Sequence, residues 1–231
     1  MATTRDIFLA RIKAELADAT GTFFADTEIE QWIQDCHADL ARDTHYYRTV
    51  VHCAIVANRE KYEVYPVTVG SQLLTPLEFT EVLVKQDASV TTYRALEPLT
   101  WDIYRRYQNG KETATTAGTP GSPTHYCLQG NYLYLYPYPN YSADTNGLRL
   151  YIIAVEHMVA DSTVSNIPIG FEDAVVWYGA WRGHMKDQST NLAANYLGKY
   201  ERMKKELGGW ANSMRTGGPE RIKHVSERRI A

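Results

Sequence analysis

The chain has 231 residues, 44% apolar and 22% charged, enough for one domain or two small ones with a sizeable core. That composition excludes general disorder, and the longest apolar stretches fall well short of a membrane span. Its 24 basic and 27 acidic side chains nearly cancel to -3, unlike a protein that coats nucleic acid, yet residues 1–46 carry 4 basic and 9 acidic groups and residues 208–231 carry 5 and 2.

In chain order, Phe8, Ile12 and Leu16 at spacing four predict a first helix, with Thr3 and Asp6 as a capping box. A second helix is expected from Thr27, capped by its hydroxyl with Glu30 reaching back. Ile29, Trp32, Ile33, Cys36 and Leu40 form its apolar stripe, and Glu28, Asp35, Asp39 and Asp43 an acidic face. A solvated face is the bland reading of those carboxylates; a contact with a neighbouring subunit or partner is the functional one, with Asp35 and Asp39 as its candidates.

From Tyr46 the period becomes two, and Tyr47–Val56, Lys61–Tyr65 and Phe79–Lys85 read as strands. Trp101, Tyr104 and Tyr107 predict a short helix near 100–108. Residues 109–124 follow as a long loop rich in Thr, Gly, Ala and Pro. A hairpin is expected next, His125–Gln129 and Tyr132–Tyr136 about a Gly130-Asn131 turn. Alternation puts Tyr132, Tyr134 and Tyr136 on one face and Leu133 and Leu135 on the other. Those phenols suit stacking on sugars or bases, or packing against a neighbouring subunit or the chain's own helices; packing is favoured, since no Arg or Lys lies between them to engage phosphates.

Leu148–Val155 reads as one more strand, and two helices come after it. Phe171, Ala174, Val175, Tyr178, Trp181 and Met185 mark one, and Leu192, Tyr196, Tyr200, Met203 and Leu207 the other, which Gly208-Gly209 is expected to stop. Residues 208–231 then read as an extended basic arm.

No catalytic motif accompanies these elements: there is no Gly-x-Ser-x-Gly elbow, phosphate loop or His-Glu-x-x-His helix. Cys36-His37, His52-Cys53 and His125-Tyr126-Cys127 place thiols beside imidazoles, but adjacent strand residues point to opposite faces and spaced cysteine pairs are absent, so no metal site and no cofactor are expected. Three widely spaced cysteines suit reduced thiols in a cytosolic setting, and Met1–Asp6 lacks the basic start and apolar run of a secretory signal.

Several linked stretches, spread over residues 25–207, together resemble the adaptor (head-to-tail connector) proteins of tailed bacteriophages, of the short-tailed type. They are Glu30-Gln31-Trp32-Ile33-Gln34-Asp35-Cys36 with Asp39-Leu40-Ala41-Arg42-Asp43-Thr44, Leu96-Glu97-Pro98-Leu99-Thr100, Gly121-Ser122-Pro123-Thr124-His125-Tyr126, Leu133-Tyr134-Leu135-Tyr136-Pro137-Tyr138-Pro139, and Ile167-Pro168 before a helix. The resemblance implies an α+β subunit. Residues 1–46 and 167–207 would form a small helical bundle, 47–166 a central antiparallel β-sandwich-like insertion, and 208–231 an extended C-terminal arm.

It further implies a structural virion protein at the head–tail junction, assembled in the bacterial cytoplasm and not an enzyme. Twelve subunits would form a ring that docks on the portal protein, receives the tail nozzle or tail-tube protein and lets genomic DNA pass without specific binding, with no membrane involved. The arm would reach the portal through Arg215, Arg221, Lys223, Arg228 and Arg229. Tyr132, Tyr134, Tyr136, Asp35 and Asp39 are subunit or tail interface candidates. The competing class is a carbohydrate- or receptor-binding tail-fibre module using the Tyr132/Tyr134/Tyr136 face.

Overall fold

A computed structural model describes residues 3–18, 20–69, 72–87, 89, 91–112, 121–158, 160 and 163–215. In chain order the elements are α1 (Arg5–Glu15), α2 (Asp26–Thr44), β1 (Arg48–Ile55), β2 (Lys61–Glu63), β3 (Val67–Val69), β4 (Gln72–Lys85), β5 (Tyr93–Ala95), β6 (Glu97–Pro98), α3 (Trp101–Glu112), β7 (His125–Gln129), β8 (Tyr132–Tyr136), β9 (Ala143–Glu156), α4 (Asp173–Lys186) and α5 (Thr190–Arg215). The fold is α+β, with helices at both ends and antiparallel sheet at the centre. Two units divide the chain: Met1–Tyr47 with Val155–Ala231, and Arg48–Ala154.

In the helical unit, the periodic apolar residues meet in one core. The α2 stripe of Ile29, Trp32, Ile33, Cys36 and Leu40 is buried along its whole length, with Phe8 and Ile12 of α1, Ala174, Val175 and Tyr178 of α4, and Tyr200 and Leu207 of α5. Neither N-terminal cap forms as expected. The residue before α1 is Thr4, without a side-chain cap, and the Thr3 hydroxyl instead donates to Glu172 at 2.6 Å, a long-range bond that outcompetes the local one. Ala25 precedes α2, which leaves Thr27 inside the helix, while the Asp18 carboxylate orders the preceding turn by accepting the amides of Thr22, Phe23 and Phe24.

α5 does not stop at Gly208-Gly209. It runs on to Arg215, because Ala211 is buried and Trp210 packs partly against the core beside Phe171, which offsets the roughly 1 kcal/mol helix cost of each glycine. The expectation of an extended arm from residue 208 is therefore corrected for 208–215. Residues 216–231 lie outside the described residues.

The β-rich unit holds two sheets. One runs β1-β9-β4-β3, with β5 also paired to β4; the other runs β2-β8-β7-β6. The pairings given in register are antiparallel except that of β6, whose Glu97 and Pro98 run parallel to His125 and Tyr126 of β7. The β7–β8 hairpin forms in the expected register, from His125 opposite Tyr136 to Gln129 opposite Tyr132. Gly130 closes it at φ +57, a conformation L side chains adopt rarely. β3, β5 and β6 were not expected, since runs of two or three residues carry no readable alternation. α3 extends past 108 to Glu112 and so takes Asn109–Glu112 from the loop expected over 109–124. Gly121 and Thr124 are tied to the sheet through Tyr138 and Tyr136 carbonyls at 2.9 and 3.0 Å, and 113–120 lie outside the described residues.

Candidate assembly surfaces

The acidic face of α2 is partly used within the helical unit. Asp39 accepts hydrogen bonds from the Tyr200 hydroxyl and from Lys204 Nζ, the latter at 2.9 Å, and Lys204 also meets Asp43 at 2.5 Å. Burial pushes the Tyr200 phenol well up, and neighbouring Cys36 and the Asp39 carboxylate add to it. Desolvation alone would lower the Lys204 pKa, but the bonds to Asp43 and Asp39 outweigh it and raise the ammonium above its ordinary range. Glu28 pairs with Lys186 at 2.6 Å. Asp35 takes the Gln31 side-chain amide at 2.8 Å, a contact within α2 itself. Of the two acidic interface candidates, Asp39 is thus committed to α5, whereas the contact of Asp35 stays within α2 and both remain half-buried.

The tyrosine row is met by α3. Tyr134 lies with its ring centroid 5.2 Å from Trp101 and 5.5 Å from Tyr104, and Tyr136 stacks on Tyr107 at 5.0 Å and 19°. Tyr104 is 1% exposed and donates its hydroxyl to Glu60. Tyr132 carries the Lys61 ammonium over its ring at 4.3 Å. Leu133 and Leu135 on the opposite face are wholly buried. The signal for this partnership was already in the sequence: an aromatic strand face and a helix with aromatics at spacing three. A platform for sugars or bases needs open ring faces, and here α3 occupies those of Tyr134 and Tyr136.

Among the C-terminal candidates, Arg215 is the last residue of α5, while Arg221, Lys223, Arg228 and Arg229 lie outside the described residues. Sequence reasoning missed the exposed apolar side chains at one end of the helical unit. Met185 and Leu192, assigned to the buried stripes, are 53% and 49% exposed, and Phe23 is 60% exposed.

A sealed polar cluster was missed as well. His37 Nε2 lies 3.0 Å from Ser165 Oγ and 3.2 Å from the Glu156 carboxylate, Nδ1 faces the Ile33 carbonyl at 2.8 Å, and Asn166 donates its backbone and side-chain amides to Glu156. A serine beside an imidazole invites comparison with a nucleophile and its base. His37 has no exposed surface, however, and Ser165 Oγ is occupied by the Ile167 amide and Glu156, so the geometry ties the segment after β9 to α2. Burial pushes the thiols of Cys36, Cys53 and Cys127 up, away from reactive thiolate. Among the described residues no three His, Cys, Asp or Glu side chains converge on a metal position, and no helix is long and apolar enough to cross a membrane.

Comparison with curated proteins finds no match. The family model described as SU10 adaptor protein matches residues 3–223, from just before α1, through the whole β-rich unit, to beyond the end of α5. The chain therefore belongs to the SU10 adaptor protein family, a family of bacteriophage adaptors.

Proposed function

We propose that the chain is a head-to-tail connector that closes into a ring of twelve copies, docks on the portal, receives the tail nozzle or tail-tube protein and encircles the path of the genomic DNA. The family match over residues 3–223 carries this reading, because it spans both units rather than a fragment of one. A closed ring needs two different complementary surfaces on each copy. The carboxylate of Asp35 and the basic residues after α5 in the sequence offer opposite charges for such contacts. A formal charge of -3 suits a wall that DNA slides past, since each phosphate neutralised adds salt-dependent affinity that would hold it. The protein acts in the virion at the head–tail junction after assembly in the host cytoplasm, and its work is assembly and sealing, not catalysis.

The test is to mix the chain with its cognate portal and image the product by cryo-electron microscopy. A ring of twelve on the portal is expected. A chain that ignores the portal and binds glycans in a manner lost with Tyr132→Ala and Tyr134→Ala points to the tail-fibre reading instead.

A further inference from the structure

Three polar atoms meet in the sealed cluster that ties α2 to the segment after β9. His37 Nε2 stands 3.0 Å from Ser165 Oγ and 3.2 Å from Glu156 Oε1, and Ser165 Oγ stands 3.1 Å from that same oxygen. Each edge of this triangle needs a proton to be attractive, and the serine hydroxyl supplies one. The far side of the ring cannot lend another, because Nδ1 faces the Ile33 carbonyl at 2.8 Å and must donate to it. A neutral imidazole would therefore leave Nε2 as a bare acceptor facing acceptors, a costly arrangement where His37 and Glu156 have almost no exposed surface.

One further proton removes the conflict, and the geometry says which group holds it. Asn166 aims its backbone N–H at both oxygens of Glu156, at 3.0 and 2.9 Å, and its side-chain amide at Oε2, at 2.7 Å. Donors so placed favour the charged carboxylate. We infer that His37 carries the proton on Nε2, so that a buried imidazolium faces the Glu156 carboxylate and the pair acts as a proton-loaded latch between α2 and residues 165–167. With the proton in place the two groups attract; without it they oppose each other, and the segment loses its hold on α2.

The neighbouring groups leave this role to His37. Among the described residues no lysine or arginine pairs with Glu156. On α1, Arg5 binds the Met158 carbonyl and pairs with Glu30, and the Phe8 ring meets the imidazole edge-on at 5.9 Å. Cys36 on α2, and Tyr46 and Tyr47 just after it, are held protonated chiefly by burial, and the Glu156 carboxylate adds to the effect on both tyrosines. Glu172, before α4, accepts the Thr3 hydroxyl, and the Thr3 carbonyl takes the Ser165 amide. His157, next to Glu156 in the chain, is half-buried.

The experiment is NMR of the full-length chain carrying isotope-labelled histidine, with His37→Gln assigning the ring. At about pH 7.5, where an ordinary imidazole is about nine-tenths neutral, both ring nitrogens of His37 are expected to carry protons. Ser165→Ala should leave both in place, since the carboxylate remains, whereas Glu156→Gln should remove the one on Nε2. Urea unfolding at that pH should release about one proton more from the wild type than from Glu156→Gln, read as a steeper fall of stability with rising pH. A wild-type ring protonated at Nδ1 alone overturns the latch whether or not the variants fold, and so does an Nε2 proton that persists in Glu156→Gln. Neither result bears on the connector reading, which imaging with the portal decides.

Discussion

Ile12 of α1 fills the notch that Gly179 leaves on α4: a Cβ built on Gly179 would stand 2.5 Å from Ile12 Cδ1, and one turn on, Gly183 meets Leu16 in the same way. Both glycines are buried, so a side chain there has no outward escape. Gly179→Ala is expected to cost about 1–3 kcal/mol by overpacking, read as a lower urea midpoint. Ile12→Ala in the same chain should recover part of that loss, because the two changes share one space. Additive losses would show that α1 does not seat in this notch.

The Tyr200–Asp39–Lys204 network sets a pH limit. Tyr200 and Lys204 both have folded pKa values raised above their ordinary ones. In the pH range between the unfolded and folded values the native state holds more protons, so stability falls as pH rises. The contribution is complete below about pH 9, where both groups are protonated even in the unfolded chain, and is lost progressively as pH rises through and beyond their unfolded values. Urea midpoints of the wild type should decline more steeply between about pH 9.5 and 11 than those of Tyr200→Phe. Parallel slopes would remove Tyr200 from the account.

Tyr134→Ala tests what the tyrosine face is for. With Trp101 and Tyr104 packed on that ring, truncation should destabilise the β-rich unit by about 2 kcal/mol, seen as earlier unfolding in calorimetry. A variant as stable as the wild type would mean that α3 does not depend on this face.

Two truncations separate the role of α5 from that of residues 216–231. A chain ending at Leu207 loses Trp210 and Ala211 from the core and should melt several degrees lower, whereas one ending at Arg215 should melt with the full-length protein. Assembly defects of the chain ending at Arg215 report on residues 216–231 alone. Equal melting of the two truncations would contradict the packing of Trp210.

Much of the fold was legible because periodicity is local. The α2 stripe from Ile29 to Leu40, the hairpin about Gly130 and the alternation of Tyr132–Tyr136 each arise from side chains that repeat with the backbone. Termination and capping were less legible, since they depend on distant partners. Thr3 gave its hydroxyl to Glu172, 169 residues away, and Gly208-Gly209 stayed helical because Trp210 and Ala211 found the core.

The same division holds for the surfaces. From its residues alone, the chain was recognisable as an α+β adaptor with an acidic start and a basic end, since composition and motif order need no coordinates. Only the tertiary structure decided which of those residues remain available to a partner. Packing spent Asp39 on Lys204 and turned Tyr134 and Tyr136 toward α3, and at the end where α4 meets α5 it left Phe23, Met185 and Leu192 outside the core. Periodicity says that a side chain belongs to a stripe, but how far the stripe stays covered depends on where the neighbouring helices end.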